Sequence, residues 1–230
     1  MRVAISQSNY IPWRGYFDMI DSVDYFVLYD SVQYTKGDWR NRNIIKTPQG
    51  GDWITIPVEN QSLTQLIDET QISRTKSNWN IKHLKILRQN YSKSKYFNSV
   101  FPWLENIYLN KLNELTKLTD INEILIKEIC TYLKITTKIL RDRDLLIEGD
   151  RNEKLINICK QLNAKVYLSG PAAKIYLNEE LFLTHGIGVE WMSYNGYKEY
   201  DQLYDPFLPS VTVLDLLFNL GENSHLYIGK

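Results

Sequence analysis

Near its start the chain reads Arg2-Val3-Ala4-Ile5-Ser6, a short apolar run that predicts a buried strand. The polar segment 7–18 follows, and then a second apolar run, Tyr25-Phe26-Val27-Leu28-Tyr29, which ends at Asp30. A helix-like segment lies between the two runs, and parallel strands need crossover connections of this kind. This stretch therefore favours an α/β protein.

The rest of the chain extends the alternation of strands and helices. Further β-rich runs lie at 53–58, 137–141, 165–169 and 189–193. Between about 77 and 134 the pattern is almost wholly helical, and Asn78 is placed to cap the first helix. We therefore predict one domain over residues 1–230, with a mostly parallel sheet flanked by helices and a helical insert or subdomain around 77–134.

Charge and composition limit the class of partner. The 27 basic residues balance the 27 acidic residues, so no net field attracts nucleic acid or an anionic membrane, and we expect a small-molecule partner. No apolar segment has the length of a signal peptide or a membrane span, which predicts a cytoplasmic protein. Cys130 and Cys159 lack metal-ligand spacing and are expected to be reduced, packed thiols. The oligomeric state stays open.

Polar and aromatic residues are concentrated where predicted strands end, in clusters at 7–16, 30–42 and 169–173. Ligands of open parallel sheets bind at the carboxyl ends of the strands, so we expect these clusters to share one pocket. The candidate substrate-binding residues are Gln7, Asn9, Tyr10, Trp13, Tyr16, Gln33, Tyr34, Lys36, Arg40, Asn41, Arg42, Ser169 and Gly170.

The side chains in these clusters suit a polar ligand. The amides of Gln7 and Asn9 can read hydroxyl groups, although they can equally fasten the loop backbone. Tyr10, Trp13 and Tyr34 can stack on a sugar or a base, and the alternative is that they pack beneath a polar surface.

Four cations, Lys36, Arg40, Arg42 and Lys46, lie within eleven residues. Arginine binds phosphate and carboxylate through paired, charge-assisted hydrogen bonds. A diphosphate is therefore the expected guest, and a solvated basic loop is the alternative.

Two residues are candidates for proton transfer. Asp30 ends an apolar strand, where a buried carboxylate is costly without a hydrogen-bond partner or a proton-handling role. His83 lies four residues after Trp79 on a predicted helix, and its ordinary pKa suits a general base near neutral pH. A half-buried histidine bonded to a carbonyl is the competing interpretation.

Three motifs carry a resemblance to a known family. They are I-x-Q-x-N-Y-x-P-W-x-G-Y at 5–16, D-x-V-Q-Y-x-K at 30–36 and W-R-N-R-N at 39–43. Together they resemble the WbqC-like proteins of bacterial O-antigen and polysaccharide gene clusters, and the likeness spans nearly the whole chain. The resemblance implies a role in making or decorating surface polysaccharide. It implies no particular reaction.

The chemistry must therefore be inferred from the residues. The sequence contains no Ser-His-Asp order, Walker loop, dinucleotide fingerprint or paired zinc motif, so the cofactor is unknown and no metal, flavin or nicotinamide motif is seen. We expect a transferase that moves an acyl or aminoacyl group from a donor onto the amine of a nucleotide-linked amino sugar. The alternatives are a noncatalytic nucleotide-sugar-binding or scaffolding protein and a nucleotidylyl transferase.

Overall fold

The computed structural model describes residues 1–59, 62, 64–73 and 78–229. In chain order the strands are β1 (Arg2–Ser6), β2 (Tyr25–Leu28), β3 (Arg42–Thr47), β4 (Gly50–Thr55), β5 (Lys138–Arg141), β6 (Val166–Ser169) and β7 (Gly188–Trp191). Five of them form one sheet in the order β5-β2-β1-β6-β7, and all neighbours in it are parallel. The predicted α/β class with a mostly parallel sheet is confirmed.

Helices cover both faces of this sheet. They are α1 (Arg14–Asp21), α2 (Trp79–Tyr91), α3 (Phe97–Asn106), α4 (Leu118–Tyr132), α5 (Arg151–Gln161), α6 (Glu179–Thr184) and α7 (Val213–Leu220). Side chains alternate across β1, so Ala4 joins the core formed with α1 to α4 and α7, while Val3 and Ile5 pack with α5 and with Phe182 of α6. The described part of the predicted helical region forms α2, α3 and α4.

The strand order creates a topological switch point beside the central strand. From β1 the chain passes to β2 and then β5 on one side, and it later returns to β6 and β7 on the other side. The loops that leave the carboxyl ends of β1 and β6 therefore run in opposite directions. In open α/β sheets the crevice between such loops is the usual ligand position.

One strand pair lies outside the main sheet. The run predicted at 53–58 overlaps β4 only over residues 53–55, and β4 pairs with β3 in a separate antiparallel hairpin whose register joins Arg42 to Thr55. The expectation that this run belongs to the βα alternation was wrong, and β3 was not predicted. The polar residues Asn43 and Lys46 interrupt the apolar pattern of β3. Both are nevertheless buried, and each donates to a carbonyl of a distant segment.

The cysteines behave as their sequence context predicts. Cys130 of α4 and Cys159 of α5 are free and buried, and burial raises the pKa of each thiol to about 12. Within the described ranges, no helix combines the length and the apolar content that a membrane crossing requires.

Candidate functional site

A cleft of about 740 Å³ opens at the switch point of the sheet. We call it the switch-point cleft. Its lining comes from the segments after β1, β2 and β6 and from the start of α5, and it comprises Ile5, Ser6, Gln7, Tyr29, Ser31, Val32, Gln33, Leu66, Gly149, Asp150, Arg151, Lys154, Leu155, Tyr167, Ser169, Gly170, Ala172, Ala173 and Tyr176. Loops that are distant in sequence therefore meet in one cavity.

The loop after β1 places the side-chain amide of Gln7 at this cleft, and hydrogen bonds to backbone carbonyls fix the loop in position. The Tyr16 hydroxyl donates to the Gln7 carbonyl at 2.9 Å, and the Tyr29 N–H donates to the Ser6 carbonyl at 2.9 Å. The side-chain amide of Gln7 makes no hydrogen bond with the rest of the described chain. A fixed backbone with an unpaired amide is suited to reading a polar ligand.

The start of α5 places two cations at the cleft. The Asp150 carboxylate caps the helix by accepting the N–H groups of Asn152 and Glu153, so these donors are already used. Arg151 and Lys154 lie three residues apart on the helix, and neither forms an ion pair within the described part of the chain. Any anion here would be held by these two side chains.

Asp30 lies beneath the loop after β1 and does not line the cleft. One of its carboxylate oxygens accepts the Ser8 N–H at 2.8 Å, and the Ser8 hydroxyl bonds to it as well. Burial raises the pKa of Asp30 to about 6, against the opposing effect of these two bonds. The carboxyl group can therefore change protonation near neutral pH while it is bonded to Ser8, the neighbour of Gln7.

His83 belongs to a closed polar cluster with Tyr10 and Tyr108, which we call the His83 cluster. His83 Nε2–H donates to the Thr55 carbonyl at 3.1 Å, so Nδ1 accepts the Tyr10 hydroxyl at 2.7 Å, and Tyr108 in turn donates to Tyr10. The ring is 4% exposed, and burial lowers the pKa of His83 to about 4. The imidazole is thus neutral and lines neither this cleft nor the pocket described next.

A second, smaller cavity of about 200 Å³ lies on the other side of the loop after β1. We call it the Trp39 pocket, and it is lined by Asn9, Pro12, Trp13, Trp39, Asn43 and Ser210. Gln7 and Asn9 therefore line different cavities, although only Ser8 separates them in the sequence.

Comparison with known proteins identifies the family of this chain. The model of the WbqC-like protein family matches residues 7–227. This chain belongs to that family. It is also 46% identical over 228 residues to the uncharacterized protein Rv1507c of Mycobacterium tuberculosis, covering 99% of this chain and 97% of that protein. No solved structure matches the chain.

The motif residues of this WbqC-like protein separate into three groups. Gln7, Gln33, Ser169 and Gly170 line the switch-point cleft, and Asn9 and Trp13 line the Trp39 pocket. The remaining predicted site residues line neither cavity: Tyr10, Tyr16, Asp30, Tyr34, Lys36, Arg40, Asn41, Arg42 and His83.

The predicted cation cluster of this WbqC-like protein does not converge on one point. Lys36 is exposed, whereas Arg40 donates to the Asn9 side-chain oxygen and also contacts the Ser8 carbonyl. Arg42 stacks over the Trp53 ring at 4.1 Å. Lys46 is buried, and its ammonium group donates to the Pro206 carbonyl. Three of the four cations therefore organise the protein itself.

Sequence reasoning missed several residues that line the two cavities. They are Tyr29, Trp39, Arg151, Lys154 and Tyr176. Asp150 and Glu153 form a capping box, and this signature in the sequence fixes the start of α5 and hence the position of the two cations. Combined with the rule that ligands bind near the carboxyl ends of strands, it could have found Arg151 and Lys154.

Proposed function

We propose that this protein binds a nucleotide-linked amino sugar in the switch-point cleft and transfers an acyl or aminoacyl group onto its amine. The observation that carries the proposal is the composition of that cleft. It combines an unpaired amide, one exposed aromatic ring, that of Tyr176, and two cations without ion-pair partners at the switch point of a parallel sheet.

Size and charge support a nucleotide-linked ligand. The volume of about 740 Å³ lies within the range of roughly 300 to 1,000 Å³ that is usual for ligand pockets. Arg151 and Lys154 can hold a diphosphate, and Tyr176, which is 43% exposed, offers a ring for stacking a base. Gln7 and Ser169 are placed to read sugar hydroxyls.

The transfer step needs a proton acceptor. The amine nitrogen forms a bond to the acyl carbon, the bond from that carbon to its leaving group breaks, and the amine loses one proton. Asp30 is the proposed final acceptor of this proton, because its pKa of about 6 leaves it ionised at neutral pH, and the Ser8 hydroxyl that bonds to Asp30 is the proposed relay, since Asp30 itself does not line the cleft. His83 is the other sequence candidate, and its ring nitrogens are engaged inside the protein.

Calorimetry with a panel of nucleotide-linked amino sugars tests the binding step. We expect Arg151→Ala to weaken binding roughly 10- to 100-fold, since a charge-assisted bond to phosphate is lost. Lys160→Ala removes another exposed cation from the last turn of the same helix, outside the cleft, and should leave affinity unchanged. Equal losses in the two variants would contradict the assignment of the cleft.

Mass spectrometry of the sugar product tests the reaction. The protein is incubated with a bound nucleotide-linked amino sugar and with thioester or aminoacyl donors, and transfer adds the mass of the donor's acyl group. Pyrophosphate release from a nucleoside triphosphate is measured in parallel, because it would indicate nucleotidylyl transfer instead.

One observation favours a second candidate, a nucleotide-sugar-binding protein without turnover. Among the described residues that line the switch-point cleft, Asp150 is the single carboxylate, and it is occupied in capping α5. Binding without any product, together with affinity unchanged in Asp30→Asn, would support this candidate over the transferase.

A further inference from the structure

The Trp39 pocket is bordered by an unusual pair of exposed aromatic rings. Trp39 and Trp53 are 39% and 41% exposed, and their ring centroids lie 5.1 Å apart. Burying such large side chains would stabilise the fold, so leaving two of them together at the surface marks an interaction site. The CH-rich face of a small ring can pack against Trp39, which lines the pocket, whereas the Trp53 ring is covered by the Arg42 guanidinium.

The polar groups of the pocket are mostly unpaired donors. Arg40 bonds to the side-chain oxygen of Asn9, which leaves the Asn9 nitrogen without a partner in the described chain. The Ser210 hydroxyl and the Trp39 indole N–H are likewise without hydrogen bonds to the described residues. None of the described lining residues carries a charge, so the chemistry fits a neutral, hydroxyl-bearing ligand.

The wall of the pocket is held rigidly. Asn43 donates to the carbonyls of Tyr10 at 3.0 Å and Ile11 at 2.9 Å, and the Thr212 hydroxyl donates to the same Ile11 carbonyl at 2.7 Å. These bonds keep Ile11 at a φ of 37°, in the left-handed region that a β-branched residue rarely adopts. Strain retained beside a cavity is a sign of a preorganised site.

Glycine at position 15 fixes the opposite side of the pocket. A Cβ atom there would lie 2.4 Å from the Trp13 ring, so glycine allows that ring to fold back against the start of α1. The Trp13 ring also packs edge-on against Tyr194, with centroids 5.2 Å apart. Both aromatic walls are therefore positioned before any ligand arrives.

We propose that the Trp39 pocket binds one neutral sugar ring, packed against Trp39 and hydrogen-bonded by Asn9 and Ser210. The volume of about 200 Å³ is below the usual range for a whole nucleotide-sized ligand, which limits the guest to a single ring. This site goes beyond the proposed function, since a sugar can bind here whether or not a nucleotide binds in the switch-point cleft.

Ligand-observed NMR with the methyl glycosides of glucose, galactose and N-acetylglucosamine tests the site. At least one glycoside should bind, and Trp39→Ala should weaken it roughly tenfold while Trp39→Phe keeps most of the affinity. Asn9→Asp preserves the size of the side chain but removes its N–H donors, and should weaken binding roughly three- to tenfold.

Two variants serve as controls. Ile81→Ala removes another exposed apolar side chain, 42% exposed on α2, and should not alter glycoside binding. Arg151→Ala should also leave it unchanged, which separates this site from the switch-point cleft. Circular dichroism and thermal melts establish that each variant is folded.

Several results would overturn the proposal. No binding by any glycoside of the panel, or the same affinity in the wild type and in Trp39→Ala, would remove the sugar site. If adenosine or uridine displaced the glycoside, and if its binding were lost in Trp39→Ala, the pocket would be a nucleobase site. Binding of a proline-rich peptide in place of the glycosides would assign it to a peptide.

Discussion

The His83 cluster and the switch-point cleft use similar side chains in opposite ways. In the cluster, the Tyr10 hydroxyl and both His83 ring nitrogens have partners, and the group is closed to solvent. In the cleft, the Gln7 amide has no hydrogen bond within the described chain, and Arg151 and Lys154 have no ion-pair partner there, although the Arg151 guanidinium lies 4.6 Å from the centroid of the Tyr176 ring. Residue type alone suggests a catalytic role for His83. Hydrogen-bond partners within the protein, however, distinguish a structural polar group from one that is available to a ligand.

Replacing His83 by Ala tests the structural side of this comparison and should have the largest effect. The change leaves the Tyr10 hydroxyl and the Thr55 carbonyl without their buried partner and opens a cavity. We expect the free energy of unfolding to fall by about 3 to 5 kcal/mol. Urea denaturation measures it, and His185→Ala, at an exposed position after α6, is the matched control. An unchanged stability with abolished transfer would instead make His83 catalytic.

The pH dependence of stability sharpens the comparison further, because His83 and Asp30 titrate in the same range with opposite signs. Burial lowers the pKa of His83 from 6.5 to about 4, so the stability it contributes is present above pH 6.5 and is lost as the pH falls toward 4. Burial raises the pKa of Asp30 from 3.8 to about 6, so its contribution is present below pH 3.8 and is lost as the pH rises through 6.

Each shift corresponds to about 3 kcal/mol, so the two effects nearly cancel in the wild type between pH 4 and 6.5. Asp30→Asn should remove one of them. Its stability relative to the wild type should then decrease as the pH is lowered from 6.5 to 4, which urea titrations at several pH values would detect. Parallel curves for the two proteins would show that Asp30 does not titrate in this range.

The sequence predicts the main sheet well because β1, β2 and β6 are continuous apolar runs flanked by turn residues. It misses β3, since the polar residues Asn43 and Lys46 break the pattern and their burial depends on the carbonyls of distant segments. Long-range hydrogen bonds of this kind leave no periodic signal in the sequence.

The candidate site shows the same limit. Gln7 and Ser169 are found from the sequence because each follows a strand, and strand ends meet at one edge of a parallel sheet. Arg151 and Lys154 are missed because the cluster of cations at residues 36–46 predicts an anion site in that segment instead. Sequence density does not say which cations line a cavity. Arg40 bonds to Asn9 and Arg42 stacks on Trp53 without lining either cavity, whereas Arg151 stacks over Tyr176 inside the cleft.

Removing the unpaired amide tests the ligand-binding side of the comparison. Gln7→Ala takes away a neutral side chain that makes no hydrogen bond within the described protein, so stability should change by less than about 0.5 kcal/mol. Affinity for a nucleotide-linked sugar should fall roughly three- to tenfold, the value of one or two neutral hydrogen bonds. Calorimetry and urea denaturation of one preparation measure both, and a loss of stability without a loss of affinity would place Gln7 with the structural residues.

The smallest effect on affinity should come from replacing Lys36. This change decides whether the cations of residues 36–46 or those at the start of α5 bind the phosphate. Lys36 is exposed and lines neither cavity, so Lys36→Ala should change nucleotide-sugar affinity by less than about twofold, whereas Arg151→Ala weakens it strongly. Calorimetry at low and high salt measures both, because a distant cation acts through a screened field and a direct phosphate contact persists. If Lys36→Ala lost more affinity than Arg151→Ala, the phosphate would have to bind at the loop after β2, where the density of cations in the sequence predicts the anion site.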